Sequence, residues 1–283
     1  MAWVATVRRR VAGWAGRGID LLCPPRCALC AAEPPLAAAD GADGDAGVFV
    51  CRACERSLGD DVPRCGRCGG ACPTDGRCGR CRSGASPREG LVVLGGYGDD
   101  LRTAVLRAKR PGAEPVAAAL GRLLVRRHRP TLEGWDCDAV VPVPMHWTRR
   151  VLRGTSAAEE IALQVAADLR LPCRRLLRRS RATRMQNELP SEDRHGNVRG
   201  AFRPCRRAAG LRLLLVDDVV TTGGTLAACR AALTAAGATV NASGRCSTAG
   251  STPPSTASRI CRRRCRRDSR SPACRSGRRP STC

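Results

Sequence analysis

The stretch Leu211-Arg-Leu-Leu-Leu-Val-Asp-Asp-Val-Val-Thr-Thr-Gly-Gly-Thr-Leu226 decides the fold. Leu213 to Val216 is a short continuous apolar run, the pattern of a strand buried on both faces of a parallel sheet. Two adjacent carboxylates, Asp217 and Asp218, end it. A Thr/Gly-rich turn follows from Thr221 to Thr225, and Leu226 to Ala236, rich in Ala and Leu, reads as a helix. Backbone N–H groups at a helix start have no partner within the helix, and the helix dipole favours negative charge there. A strand, an acid pair, a small-residue loop and a helix in that order therefore make a phosphate-sugar cradle. Glycines Gly223 and Gly224 let backbone approach the phosphate, Thr221, Thr222 and Thr225 add hydroxyl donors, and the acids accept from neighbouring sugar hydroxyls.

Working outward, 283 residues suffice for one or two domains with a sizeable α/β core. The formal net charge is +24, yet the basic residues are almost all Arg and Lys109 is the only Lys. That bias, with much Ala and Gly, fits GC-rich codon usage better than a selected DNA-binding surface. Residues 241–283 hold eleven Arg against one Asp, +10 of the total, which leaves +14 for residues 1–240. A basic chain attracts polyphosphates and nucleic acid without specificity. Four Trp, two Phe and one Tyr are too few for a single-strand-binding surface built on base stacking. No segment has 18 apolar residues, so no membrane span is expected. Trp3, Val7, Val11, Trp14, Ile19 and Leu22 fall near helical spacing, and residues 1–22 read as an amphipathic helix rather than a signal peptide. A cytoplasmic protein is expected.

Ten of the nineteen cysteines lie between Cys23 and Cys81. The pairs Cys27/Cys30, Cys51/Cys54, Cys65/Cys68 and Cys78/Cys81 repeat a Cys-x-x-Cys spacing, which is metal binding in a reducing compartment rather than a secreted disulfide framework. Each pair puts two thiolates on one tight knuckle, and two knuckles complete a tetrahedral zinc site. Pairing in order gives one structural Zn²⁺ site from the first four and a second from the last four. Cys23 and Cys72 are left over, and Cys23-Pro-Pro-Arg-Cys27 is a second workable spacing in which Cys23 competes with Cys27. Residues 23–82 thus form a small zinc module that has too few large apolar residues to fold without metal. All candidate ligands are Cys, a closed structural set with no open catalytic position.

Residues 83–90, rich in Gly, Ser and Pro, read as a linker. Leu91 to Tyr97 opens a second domain as a strand, and Asp99 to Lys109 is a helix stopped by Pro111-Gly112. Another helix runs from Pro115 to about Arg127, with His128 at its basic end as a partner of the helix dipole. Asp138 to Pro144 is a strand and its exit, where two prolines force a rigid extended loop. Arg149, Arg150, Arg153 and Gly154 follow, before a helix from Ser156 to Leu169. Clustered arginines after a strand end suit a polyanion at the carboxyl edge of the sheet. Ser180 to Gly200 is polar and aperiodic, a loop over a site, and Val198 to Phe202 returns it to the body. His146 and His195 are acid-base groups by type, but both sit in loops.

The apolar run, acid pair and Thr-Thr-Gly-Gly-Thr register resemble the phosphoribosyl pyrophosphate (PRPP) motif of type I phosphoribosyltransferases. Further blocks agree on one family: the Cys-x-x-Cys module, Tyr97 before Leu101-Arg102, Lys109, Val141-Pro-Val-Pro144, Arg153-Gly154, Thr183-x-x-Gln186, Arg194-x-x-Asn197-Val198 and Ala201-Phe202. From about residue 20 to 240 the chain resembles the ComF family, associated with natural competence and DNA uptake. The resemblance implies an α/β fold, a type I phosphoribosyltransferase-like parallel sheet flanked by helices over residues 91–240, preceded by the Cys-rich zinc module. It implies that Asp217 and Asp218 bind the ribose hydroxyls and steady the ribose in catalysis. With Val219 beside them, Thr221, Thr222, Gly223, Gly224 and Thr225 would complete the PRPP site and cradle its 5′-phosphate. Pro144, Arg149, Arg153, Gly154 and Lys109 would lie on the pyrophosphate side. The ligands implied are PRPP with Mg²⁺ on its pyrophosphate and a nitrogen acceptor, and the partners are proteins of the DNA-uptake machinery. After Arg153-Gly154 the family continues with Phe-Asn-Gln, whereas Thr155-Ser156-Ala157 stands here.

A strand should follow the helix ending near Gly237, and Ala238 to Val240 starts one. From Asn241 to Cys283 the chain turns Arg-, Ser-, Pro- and Cys-rich with no apolar periodicity. Two readings stand: a reading-frame change near residue 240, natural or from sequencing, or a genuine disordered basic tail, in which case the sheet has lost much of a strand. Three functions follow from the whole: a phosphoribosyltransferase, a non-catalytic PRPP- or nucleotide-binding module of DNA uptake, and a zinc-finger DNA reader. The last is weakest, because the knuckles lack the Cys₂His₂ spacing and a recognition helix.

Overall fold

A computed structural model describes residues 26–33, 48–59, 62–66, 68–72, 90–145, 156–180, 200–219 and 223–245. Among these the elements run α1 (Arg52–Leu58), β1 (Leu91–Val93), α2 (Asp99–Ala108), α3 (Glu114–Glu133), β2 (Ala139–Pro142), α4 (Ala157–Leu169), β3 (Leu177–Arg179), β4 (Phe202–Pro204), β5 (Arg212–Asp217), α5 (Gly224–Ala235) and β6 (Thr239–Arg245). The expected N-terminal helix over residues 1–22, the linker up to residue 89 and the tail beyond residue 245 lie outside the described residues.

Strands β1, β6, β5 and β2 pair in that order, all parallel, so the chain is α/β with a parallel sheet. Central strand β5 shows why its sequence is apolar throughout. Leu214 and Val216 point into a core shared with α2, α3 and α4, while Leu213 and Leu215 point into a second core with α5, β3 and β4. A strand with helices over both faces has no polar side to show. The α3/α4 contact is close enough to require glycine at 121: a Cβ there would stand 2.8 Å from Ile161 O. The antiparallel pair β3–β4 lies on the α5 side, and residues 181–199, which join the two strands in sequence, are outside the described residues.

Besides β1, which stops at Val93 short of the expected Tyr97, two boundaries differ from the sequence reading. The third helix runs on to Glu133, but as two segments that meet at His128, whose backbone is non-helical (φ −121°, ψ 16°). Pro130 explains the break, since it cannot donate back to its fourth predecessor and starts the second segment. His128 thus stands where the first segment ends, with its ring turned to β1. Its Nε2 lies 2.9 Å from Val93 O, and because a carbonyl only accepts, that nitrogen carries the proton. Burial holds its pKa below the usual 6.5, against the bond to Val93.

The second difference is β6. The strand does not fade at Val240 but runs to Arg245, paired with both β5 and β1. Leu213 pairs with Val240 and Leu214 with Ala242, so Asn241 is an extra residue accommodated as a bulge. A strand with a neighbour on each side draws its order from backbone hydrogen bonds, which Asn, Ala, Ser and Gly supply as well as Val does.

Candidate functional site

The carboxyl ends of β2 and β5 lie side by side, and Val143 N donates to Val216 O at 2.9 Å as β2 leaves the sheet. The next residue of β5 is Asp217, which is 7% exposed. Strand alternation then sends the two acids to opposite sides. Asp217 follows Leu213 and Leu215 toward α5, where its charge, after burial, helps raise the Cys229 thiol, with Arg179 opposing. Asp218 follows Leu214 and Val216 toward α2, and its Oδ2 meets Lys109 Nζ at 3.1 Å. The backbone stiffens the pair: Asp218 N donates to Asp217 Oδ1 at 2.9 Å and Val219 N to Asp218 Oδ1 at 2.6 Å.

Beyond them Gly223 occupies the N-cap of α5 with φ 81°, a left-handed conformation that glycine adopts without strain. Gly224 is buried and Thr225 half-buried in the first helical turn. The edge thus places two carboxylates, one ammonium and a helix start around one strand end. That arrangement can hold a ligand with hydroxyls on one part and negative charge on another.

The sequence candidates divide as follows. Asp217, Asp218, Val219, Gly223, Gly224, Thr225 and Lys109 share this edge, and half-buried Pro144 lies two residues past the end of β2. Thr221, Thr222, Arg149, Arg153, Gly154, His146 and the 183–197 loop lie outside the described residues. Ser156, where the family has Asn, is buried at the N-cap of α4, and its carbonyl accepts from Glu159 N and Glu160 N. Arg179 was not singled out by sequence reasoning. It sits 5.4 Å over the Phe202 ring and within electrostatic reach of Cys229.

The metal candidate forms as its spacing implies. The sulfurs of Cys27, Cys30, Cys51 and Cys54 all lie within 4.8 Å of one another, with Cys30 and Cys51 3.6 Å apart. Four thiolates at Zn–S bonds of about 2.3 Å sit roughly 3.8 Å from each other in a tetrahedron, so the donor set fits zinc in both chemistry and size. Burial raises Cys27, but N–H donors from Cys51, Cys30 and Leu29 outweigh it and bring the thiol down to about 7. Burial, with thiol neighbours, pushes Cys30 and Cys54 up.

The second expected set lies only partly within the described residues. Cys65 and Cys68 pack with Cys72, which the pairing in order had left over, and Cys78 and Cys81 lie outside the described residues. Gly70 N donates to Cys68 Sγ at 3.4 Å, and Cys72 N to Pro63 O at 2.8 Å, so a tight turn brings Cys72 back beside the pair. Among the described residues the first four thiols are the group placed to hold a metal.

The chain is 33% identical over 185 residues to the DNA utilization protein YhgH of Salmonella typhimurium, covering 63% of this chain and 81% of that protein. It is 31% identical over the same length and shares to the proteins of that name from Escherichia coli and Shigella flexneri. The chain belongs to the YhgH family. No protein-family model matches it. The YhgH relatives span most of their own length in the match, so the likeness takes in a body and not a single motif. No helix among the described residues is long and apolar enough to cross a membrane.

Proposed function

We propose that the carboxyl edge of β5 is a PRPP site, and that the protein transfers the phosphoribosyl group to a nitrogen acceptor with release of pyrophosphate. The observation that carries this is the Asp217–Asp218 pair at a buried parallel strand end, with Lys109 Nζ 3.1 Å from Asp218 and a glycine-capped helix start just beyond. The type I phosphoribosyltransferase resemblance of the same stretch supports it. Asp217 and Asp218 accept from the ribose hydroxyls, and the start of α5 with Gly223, Gly224 and Thr225 takes the 5′-phosphate. Lys109 faces the pyrophosphate, together with Pro144 and the arginines Arg149 and Arg153. As the C1–O bond to pyrophosphate lengthens, positive charge grows on the ribose. The two carboxylates stabilise that charge without forming a covalent bond, so the chain's part is positioning and charge complementarity. Mg²⁺ bound to the pyrophosphate oxygens of PRPP would supply charge neutralisation beside Lys109. Structural Zn²⁺ in the Cys27/Cys30/Cys51/Cys54 set holds the N-terminal module, with partners in the DNA-uptake machinery. The name borne by the YhgH relatives supports a role in DNA utilization.

Calorimetric titration with PRPP and Mg²⁺ tests the shared claim. Saturable binding that Asp218→Asn weakens supports it, and no binding by either form overturns it. A pyrophosphate-release assay across purine, pyrimidine and amine acceptors then separates turnover from binding. One observation favours a second, non-catalytic reading. Ser156 stands buried at the N-cap position of α4 with no side-chain cap bond, at the place where the ComF resemblance leads to an Asn, so the acceptor side of this chain offers a hydroxyl in place of an amide. Tight PRPP binding without pyrophosphate release from any acceptor would select that reading.

A further inference from the structure

Helix α2 lies between the knuckle and the acid edge and touches both through neighbouring residues. Arg107, in its last turn, donates from Nη1 to Leu29 O at 2.6 Å. Leu29 is inside the first knuckle, between Cys27 and Cys30. Two residues after Arg107, Lys109 caps the helix and reaches Asp218. Ala108 between them is buried in the same core as Cys27, Leu29, Val50 and Leu58. Arg122 of α3 makes a matching bond to Val48 O at 3.0 Å, so the module is moored on this face by two arginine–carbonyl contacts.

We propose that Arg107 is a positioning residue that couples the metal state of the Cys knuckle to the placement of Lys109 at the acid edge. With metal bound, four sulfur bonds fix the knuckle and hold Leu29 O under the guanidinium. Without it the described knuckle is left with three backbone bonds around its first Cys pair, Ala31 N to Cys27 O, Cys27 N to Ala32 O and Ala28 N to Phe49 O. Leu29 O then leaves Arg107. Helix α2 has ten residues, too short to stand alone, and Arg107 to Leu29 O is the polar tie of its last turn beside the buried Ala108. Its end loosens, and Lys109 no longer stands fixed against Asp218. The two states are knuckle closed with ammonium placed, and knuckle open with ammonium free. The consequence for PRPP affinity rests on the function proposed above; the coupling itself does not.

Lys109 is the only Lys in the chain, so its amine reports directly. The intact protein is treated with limiting acetyl N-hydroxysuccinimide, and acetylation of the peptide holding residue 109 is followed by mass spectrometry. Zinc-loaded protein, chelator-treated protein and an Arg107→Met variant are compared. Zinc removal should raise the Lys109 rate about fivefold, the lower end of coupling between distinct sites. Arg107→Met should show the raised rate with its zinc still bound and respond little to chelation. Arg107→Gln, which keeps an amide donor, should recover part of the zinc dependence, a result that mere loss of surface packing would not produce. Equal rates with and without zinc in the unaltered protein overturn the proposal. If circular dichroism shows that chelation unfolds the chain, the zinc-bound Arg107→Met form decides alone: a raised rate upholds the coupling and an unchanged rate ends it. Failure of PRPP to bind at all would remove the proposed function and leave these acetylation rates to decide the coupling.

Discussion

The two edges of the parallel sheet carry the same kinds of charge and use them differently. At the amino edge, Asp136, Asp138 and Arg212 form an ion-pair cluster in which Arg212 Nη1 meets Asp136 and Nη2 meets Asp138 Oδ1 at 3.2 Å. The Arg212 backbone N–H also donates to Asp138 Oδ2 at 2.7 Å. At the carboxyl edge, Asp217, Asp218 and Lys109 likewise set two acids beside one cation. The amino-edge side chains are 36–77% exposed, whereas those of Lys109 and Asp218 are 28% and 19% exposed. Water screens the first cluster, so its members serve mostly to tie β2 to β5. The second cluster is half-sheltered and opens on a helix start, where an anion gains from the dipole. Charge type alone therefore does not mark a site; burial and the neighbouring helix end do.

The sharpest way to break this comparison is to neutralise both acids at one edge and then both at the other. Asp217→Asn with Asp218→Asn keeps the amide oxygens that accept from Asp218 N and Val219 N, so the fold should persist. Hydrogen bonds to charged groups contribute about 1.5–3 kcal/mol each, so PRPP affinity should fall roughly 100-fold or more in calorimetry. The matching amino-edge double variant, Asp136→Asn with Asp138→Asn, should bind PRPP as the unaltered protein does. Equal losses at both edges would mean that the effect is general electrostatics and not a site.

A smaller effect is expected at Lys109. Lys109→Met should weaken PRPP about tenfold, the equivalent of 1.4 kcal/mol. Lys109→Arg should keep most of the affinity, because it keeps the charge. The pair also shows where sequence reading stops. The apolar run Leu213–Val216 announced a strand covered on both faces, and both cores are there. The Cys-x-x-Cys spacings announced the first four-thiol set, since ligand spacing within a knuckle is local. Lys109 and Asp218, by contrast, are far apart in the chain, and no local pattern brings them within 3.1 Å. Only the family resemblance put Lys109 near the site. Strand β6 escaped notice for another reason. Asn241 to Arg245 lacks the apolar signature, and its pairing is held by backbone groups that every residue type carries. The helix was expected to stop near Arg127, and its continuation to Glu133 escaped notice because Pro130, which ends one segment, also fits the first turn of the next.

His128 probes the sheet between the two edges, at the end of β1. Its folded pKa lies below 6.5, so the fold prefers the neutral ring that donates to Val93 O. Below 6.5 the unfolded chain binds more protons than the folded one, and stability rises with pH there. The contribution is whole above 6.5 and is lost as pH falls through the folded value. Urea midpoints measured from pH 8 to 5 should show this fall, and His128→Gln, whose amide can donate but does not titrate, should flatten it. An equally steep fall in His128→Gln would place the pH dependence elsewhere.

The smallest effect belongs to the amino edge, and it has the opposite origin. The Arg212 backbone N–H, then the Arg212 side chain, hold Asp138 below its ordinary carboxylate pKa of 3.8. A depressed acid stabilises the fold above 3.8, and that contribution disappears as pH falls through the folded value. Asp138→Asn retains an acceptor for Arg212 N and loses only charge. The thermal midpoint at pH 7 should drop slightly, less so in 1 M salt, where the Debye length is about 3 Å. At a pH below the folded value the variant and the unaltered protein should melt together. PRPP titration of the same variant should show no change. A weakened ligand would mean that β5 transmits charge from one end to the other, and the two edges would then have to be treated as one electrostatic unit.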